Sequence, residues 1–291
     1  MDVAIGLPNT VPGTTGEQFA EWAKRAEAAG FSTLGTIDRI TYPNLEPLTA
    51  LAAAATVTER IELMTSIAIL PYRMNSAFVA KQAASVQVLS GGRLKLGLAA
   101  GGRDTDYKAS KADFENRNAR FTEMVEEIKD FWAGSKDSSG ALGNLAVGPD
   151  VSANPPKLIL GGYTDVTFRR VAKYADGWVA GGVAPDQFAQ MREGVLKAWK
   201  DAGREGEPYV GALAYFALGE TGPEDAQRYL ADYYEWLGEE TVGRIVNGAA
   251  KDAETVKSYI RAFTDAGCQE LIFFPTNSDP QHVDRLAEAA L

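Results

Sequence analysis

Of the chain's four glycine pairs, three, Gly101-Gly102, Gly161-Gly162 and Gly181-Gly182, each follow a short apolar run. Glycine lets main-chain amides approach a ligand closely, and a helix starting just beyond favours an anion such as phosphate. The stretch Ala100-Gly101-Gly102-Arg103 ends on a cation, and Gly161-Gly162-Tyr163-Thr164 runs into Asp165 at a helix start. Both stretches are candidates for holding an anionic cofactor, against the plainer reading that glycines simply end strands and begin turns. A second group could handle protons and charge. Asp38-Arg39 follows one apolar run, Tyr72-Arg73 another, and Tyr42, Asp106 and Tyr107 lie nearby. Arginine stays charged, so Arg39 can hold an anionic group or stabilise developing negative charge but cannot shuttle protons. Tyr72 could donate a phenolic proton. Arg39, Asp38 and Tyr72 are therefore the catalytic candidates, with Tyr42, Arg73 and Tyr107 as substrate contacts. Asp106, three residues after Arg103, reads as a group that orients it.

What is missing narrows the chemistry further. The chain has 291 residues with one histidine (His282) and one cysteine (Cys268). That leaves no disulfide framework, no zinc ligand set and no paired-cysteine redox motif, so no metal site is expected. His282 falls in the last helical segment and reads as packing, and Cys268 as an inert buried thiol. A balance of 29 basic against 39 acidic residues, net −10, argues against nucleic acid, which needs a basic face. The start of the chain lacks a basic leader, and its most apolar stretch, residues 48–57, is too short to span a bilayer. The expected location is cytoplasmic, with no membrane partner. Hard chemistry would then come from a bound organic cofactor.

The elements that must position these residues alternate between strand and helix. Short β-like runs occupy 3–7, 33–37, 61–70, 94–99, 157–160, 177–180, 209–218 and 269–274. Helical stripes lie between them, as with Phe121, Val125, Ile128 and Trp132 on one face of the 118–132 segment. Thr14 and Glu17 have capping-box spacing before the first helix, and Gly30 stands at its end. Residues 135–156 read as loop, and 223–249 as extra helices before the last repeat. Eight strand-helix units predict a closed (β/α)₈ TIM barrel over residues 1–291, with an insertion at about 219–250 between strands seven and eight. An open doubly wound sheet is the alternative, but no glycine fingerprint follows the first strand. In a barrel, function gathers where strands end, and there the glycine pairs and Asp38-Arg39 fall.

The sequence also resembles the bacterial luciferase-like flavin oxidoreductases. The resemblance rests on Ile61 to Pro71, on Ser90-Gly-Gly-Arg-Leu94, on Gly101-Gly-Arg-Asp-Thr-Asp-Tyr107, and on Ile159 to Gly162 through Trp178. It covers nearly the whole chain. It implies a (β/α)₈ barrel, a non-proline cis peptide at Ser66-Ile67 behind the flavin ring, and a phosphate held by Gly101, Gly102, Gly162, Tyr163 and Thr164. One departure is plain: several members carry histidine after strand two, where this chain has Asp38-Arg39.

The resemblance implies a monooxygenase using reduced FMN and O₂ on a small organic substrate, with a separate flavin reductase as partner. A reductase or dehydrogenase using the deazaflavin coenzyme F-420 is the alternative, and a flavin-binding barrel without turnover a third reading. A homodimer is expected because relatives commonly form one. Tyr229, Tyr233, Tyr234 and Trp236, in the insertion, fit a lid over an apolar pocket or a subunit interface.

Overall fold

The computed structural model describes residues 1–134 and 146–291. Of the stretch expected as loop at 135–156, residues 135–145 lie outside the described residues, and the described part, 146–156, contains neither helix nor strand.

Among the described residues nine strands, all parallel to their neighbours, make one closed sheet. They are β1 (Asp2–Gly6), β2 (Thr33–Thr36), β3 (Glu62–Thr65), β4 (Ala68–Ile69), β5 (Leu94–Ala99), β6 (Lys157–Gly161), β7 (Gly177–Val179), β8 (Tyr209–Phe216) and β9 (Glu270–Pro275). Pairing runs β3-β2-β1-β9-β8-β7-β6-β5, and β3 meets β5 again through Leu63 opposite Leu94, which closes the ring. β4 continues the path of β3 after a break at Ser66-Ile67, whose peptide bond is cis, and pairs with β5 through Ala68 opposite Leu98. The single apolar run read at 61–70 is thus two short strands serving as one stave. The fold is the expected (β/α)₈ barrel.

Alternation along the strands sorts the core. Val3, Ile5 and Leu7 join an outer layer with helix residues such as Trp22 and Leu51. Ala4, Met64, Ile159, Val179 and Ile272 face a second cluster inside the barrel. This is the two-residue period of a pleated strand. At the strands' starting ends the interior is polar. Glu270 accepts from the hydroxyls of Ser32, Thr33 and Tyr209 at 2.6, 2.7 and 2.6 Å, and Lys95 approaches it at 3.2 Å. A buried carboxylate survives only when paired and hydrogen-bonded in this way.

The first-half helices are α1 (Gly16–Ala29), α2 (Pro47–Ala55), α3 (Ser76–Leu89), α4 (Asp104–Ser110) and α5 (Arg117–Trp132). The second half carries α6 (Asp165–Tyr174), α7 (Pro185–Asp201), α8 (Gly222–Tyr233), α9 (Glu239–Asn247), α10 (Ala253–Asp265) and α11 (Gln281–Ala290). The capping box of α1 is formed by Thr15 and Gln18, one residue later than the spacing of Thr14 and Glu17 suggested. Thr14 turns back to the carbonyls of Pro8 and Val11. Gly30, at φ 98°, ends α1 in the left-handed conformation that glycine adopts at least cost. α8 and α9, with the turn Glu235–Leu237 between them, form the helical insertion. α4 lies in a stretch that carries no helical periodicity. Among the described residues no helix is long and apolar enough to cross a membrane.

Candidate active site

A cavity of about 180 Å³ opens at the strands' finishing ends. β2 delivers Ile37 and Asp38 to it, the β3–β4 break delivers Ser66 and Ile67, and β4 adds Ile69. The 3₁₀ turn Pro71–Arg73 supplies Tyr72. β5 runs into Gly101, Gly102 and Arg103, and α4 contributes Asp106 and Tyr107. Leu213 comes from β8, while Tyr233, Tyr234 and Trp236 descend from the insertion.

Eight of the expected residues therefore meet here. Asp38 is anchored rather than free: its Oδ2 accepts from the Ile69 amide and from Arg73, both at 2.9 Å. Arg73 also donates to Glu46 at 2.8 Å, so its two terminal nitrogens sit on two carboxylates and it does not line the cavity. Burial pulls the Glu46 pKa upward, but the Arg73 charge and the Thr49 amide outweigh it and hold the carboxyl below its ordinary range. The Tyr72 hydroxyl has no hydrogen-bond partner among the described residues, and neither has the Ser66 Oγ. Burial, then the nearby Asp38 carboxylate, raise the Tyr72 pKa far above the phenolic range, so it stays protonated. Tyr107 is held neutral by burial, and its hydroxyl donates to the Ala100 carbonyl.

The other expected residues stand around the cavity without lining it. The Arg39 guanidinium lies over the rings of Tyr42 and Tyr233, at 4.6 and 5.1 Å, and donates to the Tyr233 carbonyl at 2.9 Å. Tyr42 donates to Asp232 at 2.6 Å. Ala100 serves through its carbonyl. Gly161 packs where a side chain would meet Ile67, and the Gly162 carbonyl accepts from Trp178 at 2.8 Å. Tyr163 leans toward Gly181, where an added Cβ would fall 1.9 Å from its hydroxyl. Thr164 caps its own helix, its Oγ accepting from the Thr167 amide.

Several lining residues carry no motif of their own. Ile37, Ile69 and Leu213 are apolar residues of barrel strands or of the loop after β2, indistinguishable in sequence from core. The insertion aromatics were visible as a cluster, and the structure puts three of them over the mouth. Tyr234 shares a hydrogen bond with Tyr215 at 2.7 Å, and burial pushes its pKa up to about 12. Asp106 does approach Arg103, at 3.6 Å, and its Oδ1 also accepts from the amides of Ile40 and Thr41 and the Thr41 hydroxyl.

The site fits a flat ring with polar edges. Ser66 and Tyr72 offer unpartnered hydroxyls, and a Cβ on Gly102 would meet no described atom within 4 Å. Among the described residues no group of three or more His, Cys, Asp or Glu could hold a metal ion.

Known proteins bear on this geometry. A model of the luciferase-like monooxygenases matches residues 1–290. Pyrimidine monooxygenase of Escherichia coli is 28% identical over 225 residues, 73% of this chain and 60% of that protein. An alcohol dehydrogenase dependent on coenzyme F-420, solved with a coenzyme–acetone adduct, has a TM-score of 0.80 at 17% identity and covers 99% of this chain and 98% of its own. The oxygenating constituent of 3,6-diketocamphane monooxygenase from Pseudomonas putida, solved with FMN, has a TM-score of 0.75 at 16% identity, covering 99% and 96%. At such identities the two structures speak for the fold.

Proposed function

The chain belongs to the luciferase-like monooxygenase family, and on that premise we propose that it is a flavin-dependent monooxygenase acting on a small organic substrate with reduced FMN and O₂. The observation that carries this reading is the cavity at the barrel mouth, where the Ser66 and Tyr72 hydroxyls stand unpartnered beside the open face of Gly102. When bound, the flavin supplies the oxygen chemistry. The chain's own residues bind, orient and dry the site.

Ser66 and Ile67 would support the ring, and the free Ser66 and Tyr72 hydroxyls would be available to hydrogen-bond it. Ile37, Ile67, Ile69 and Leu213 exclude water, and Tyr233, Tyr234 and Trp236 roof the site. The amides of Gly101, Gly102 and Gly161 to Thr164 are the phosphate candidates. Tyr72, kept protonated by burial and Asp38, would hold a proton at the cavity wall. Arg39 supports the roof through Tyr233. A separate flavin reductase would supply the reduced cofactor, and the working unit is a homodimer in the cytoplasm.

The test is a titration of the purified protein with FMN, reduced FMN and oxidised coenzyme F-420, with oxygen uptake recorded. Tight binding of reduced FMN with oxygen consumption is expected. Tight binding of coenzyme F-420 with none of reduced FMN would replace oxygenation by hydride transfer. Failure of all three to bind would leave a barrel without flavin turnover.

A further inference from the structure

Two arginines stand in the same mouth under very different conditions. Arg73 places both terminal nitrogens 2.8 and 2.9 Å from carboxylate oxygens. Arg103 is equally buried, with its side chain 9% exposed, yet its contacts are long: 3.3 Å to the Tyr233 carbonyl and 3.6 Å to Asp106. Its Nε, like that of Arg73, has no partner among the described residues, so the contrast lies in the terminal nitrogens. Asp106, its only described counter-charge within 4 Å, has its other oxygen occupied by three donors from the loop after β2. A buried cation so weakly neutralised is costly, and an incoming anion offsets that cost.

The surroundings say what kind of anion. Trp236 and Tyr233 face the guanidinium at 4.6 and 5.5 Å from their ring centres, while Tyr107, Ile69 and Leu213 complete an apolar, largely aromatic wall. Arginine offers donors only, in a planar fork that matches a carboxylate. We propose that Arg103 is a specificity-determining residue and that the substrate is a small, flat, conjugated molecule bearing a carboxylate. The proposal rests on the flavin reading above in taking the cavity as the site of chemistry.

A matched pair of probes tests it: trans-cinnamate and its uncharged amide, titrated by calorimetry with and without saturating FMN. Cinnamate should bind at least about tenfold more tightly than the amide, the scale of a charge-assisted hydrogen bond. In Arg103→Met the two should bind alike, with FMN affinity unchanged. Arg103→Lys keeps the charge without the planar fork, so discrimination should fall without vanishing, and this variant serves if the Met variant does not fold. Equal binding of both probes to the wild type overturns the proposal. So does undiminished discrimination in either variant, or a parallel loss of FMN affinity, which would assign Arg103 to the cofactor. Discrimination that persists in a protein binding no flavin would sink the flavin reading and leave the role of Arg103 standing.

Discussion

Arg39 and Arg103, from loops after different strands, donate to one main-chain oxygen, the carbonyl of Tyr233, at 2.9 and 3.3 Å. That carbonyl ends α8, where helix carbonyls lack intrahelical partners and cations are favoured. The two arginines thereby fasten the insertion over the cavity. A carbonyl has two lone pairs, so losing one arginine leaves it bonded, and losing both leaves it orphaned.

The expected result is non-additive. Arg39→Ala should cost about 1 kcal/mol in urea unfolding, Arg103→Met less because it also removes a weakly paired buried charge, and the double variant about 1–2 kcal/mol beyond their sum. Hydrogen exchange should rise in residues 229–237 of the double variant while the strands stay protected. Strict additivity would mean the shared carbonyl does not couple the two loops. In the enzyme assay, Arg39→Ala should reduce activity more than stability, because it loosens the roof and leaves the barrel core untouched.

Gly102→Val separates ligand binding from folding. An added Cβ meets no described atom within 4 Å, and Gly102 is not among the residues with positive φ. Unfolding stability should therefore stay within about 0.5 kcal/mol of wild type, as for a surface change. The branched side chain would project into cavity space, so FMN affinity should drop at least about tenfold, the scale of a lost ligand contact. Unchanged affinity would mean that the ring or phosphate lies elsewhere.

The barrel was legible because its signals are local: apolar runs of strand length, amphipathic helices between them, glycines at the strand ends. Asp38, Tyr72 and Gly102 follow from position alone, since strand ends form the mouth of any such barrel, whereas Ser66 came through the family resemblance. Arg39 was legible in place but not in direction, because the rings and carbonyl that hold it belong to Tyr42 and Tyr233, the latter 194 positions away. Thr164 shows the same gap: a threonine at a helix start serves an anion or its own helix equally well, and here it accepts from Thr167. α4 has only seven residues, too few for a periodic stripe. The insertion aromatics were visible, but whether they cover a pocket or a partner depends on tertiary packing.

Asp38→Asn tests the anchored carboxylate. With Asp38 only 2% and Arg73 11% exposed at the side chain, solvent screens the pair little. Neutralising one partner leaves the Arg73 charge to Glu46 alone, at an expected cost of about 3 kcal/mol. The same change removes an upward push on Tyr72, but burial, the larger cause, still keeps its phenol protonated. Unchanged stability in Asp38→Asn would mean that Glu46 alone satisfies the Arg73 charge.

Acid should destabilise the fold in two stages with identifiable owners. Burial, then the Arg285 cation, lower the His282 pKa from 6.5, so the native imidazole is neutral where the unfolded one takes up a proton. Its contribution is complete above pH 6.5 and is lost as pH falls toward the lowered native value. For Glu270, burial pushes upward, but the Lys95 charge and the hydroxyls of Ser32, Tyr209 and Thr33 prevail, leaving the carboxyl below 4.5. That contribution is present above pH 4.5 and disappears as pH drops through the native value. Urea unfolding should therefore show stability declining from about pH 6.5 and again below about pH 4.5, each proton giving at most about 1.4 kcal/mol per pH unit. His282→Gln should abolish the first decline and keep the second, whereas Glu270→Gln should keep the first and only diminish the second, because Glu46 and Glu27 are also held below their ordinary range. A first decline that survives in His282→Gln would belong to another group.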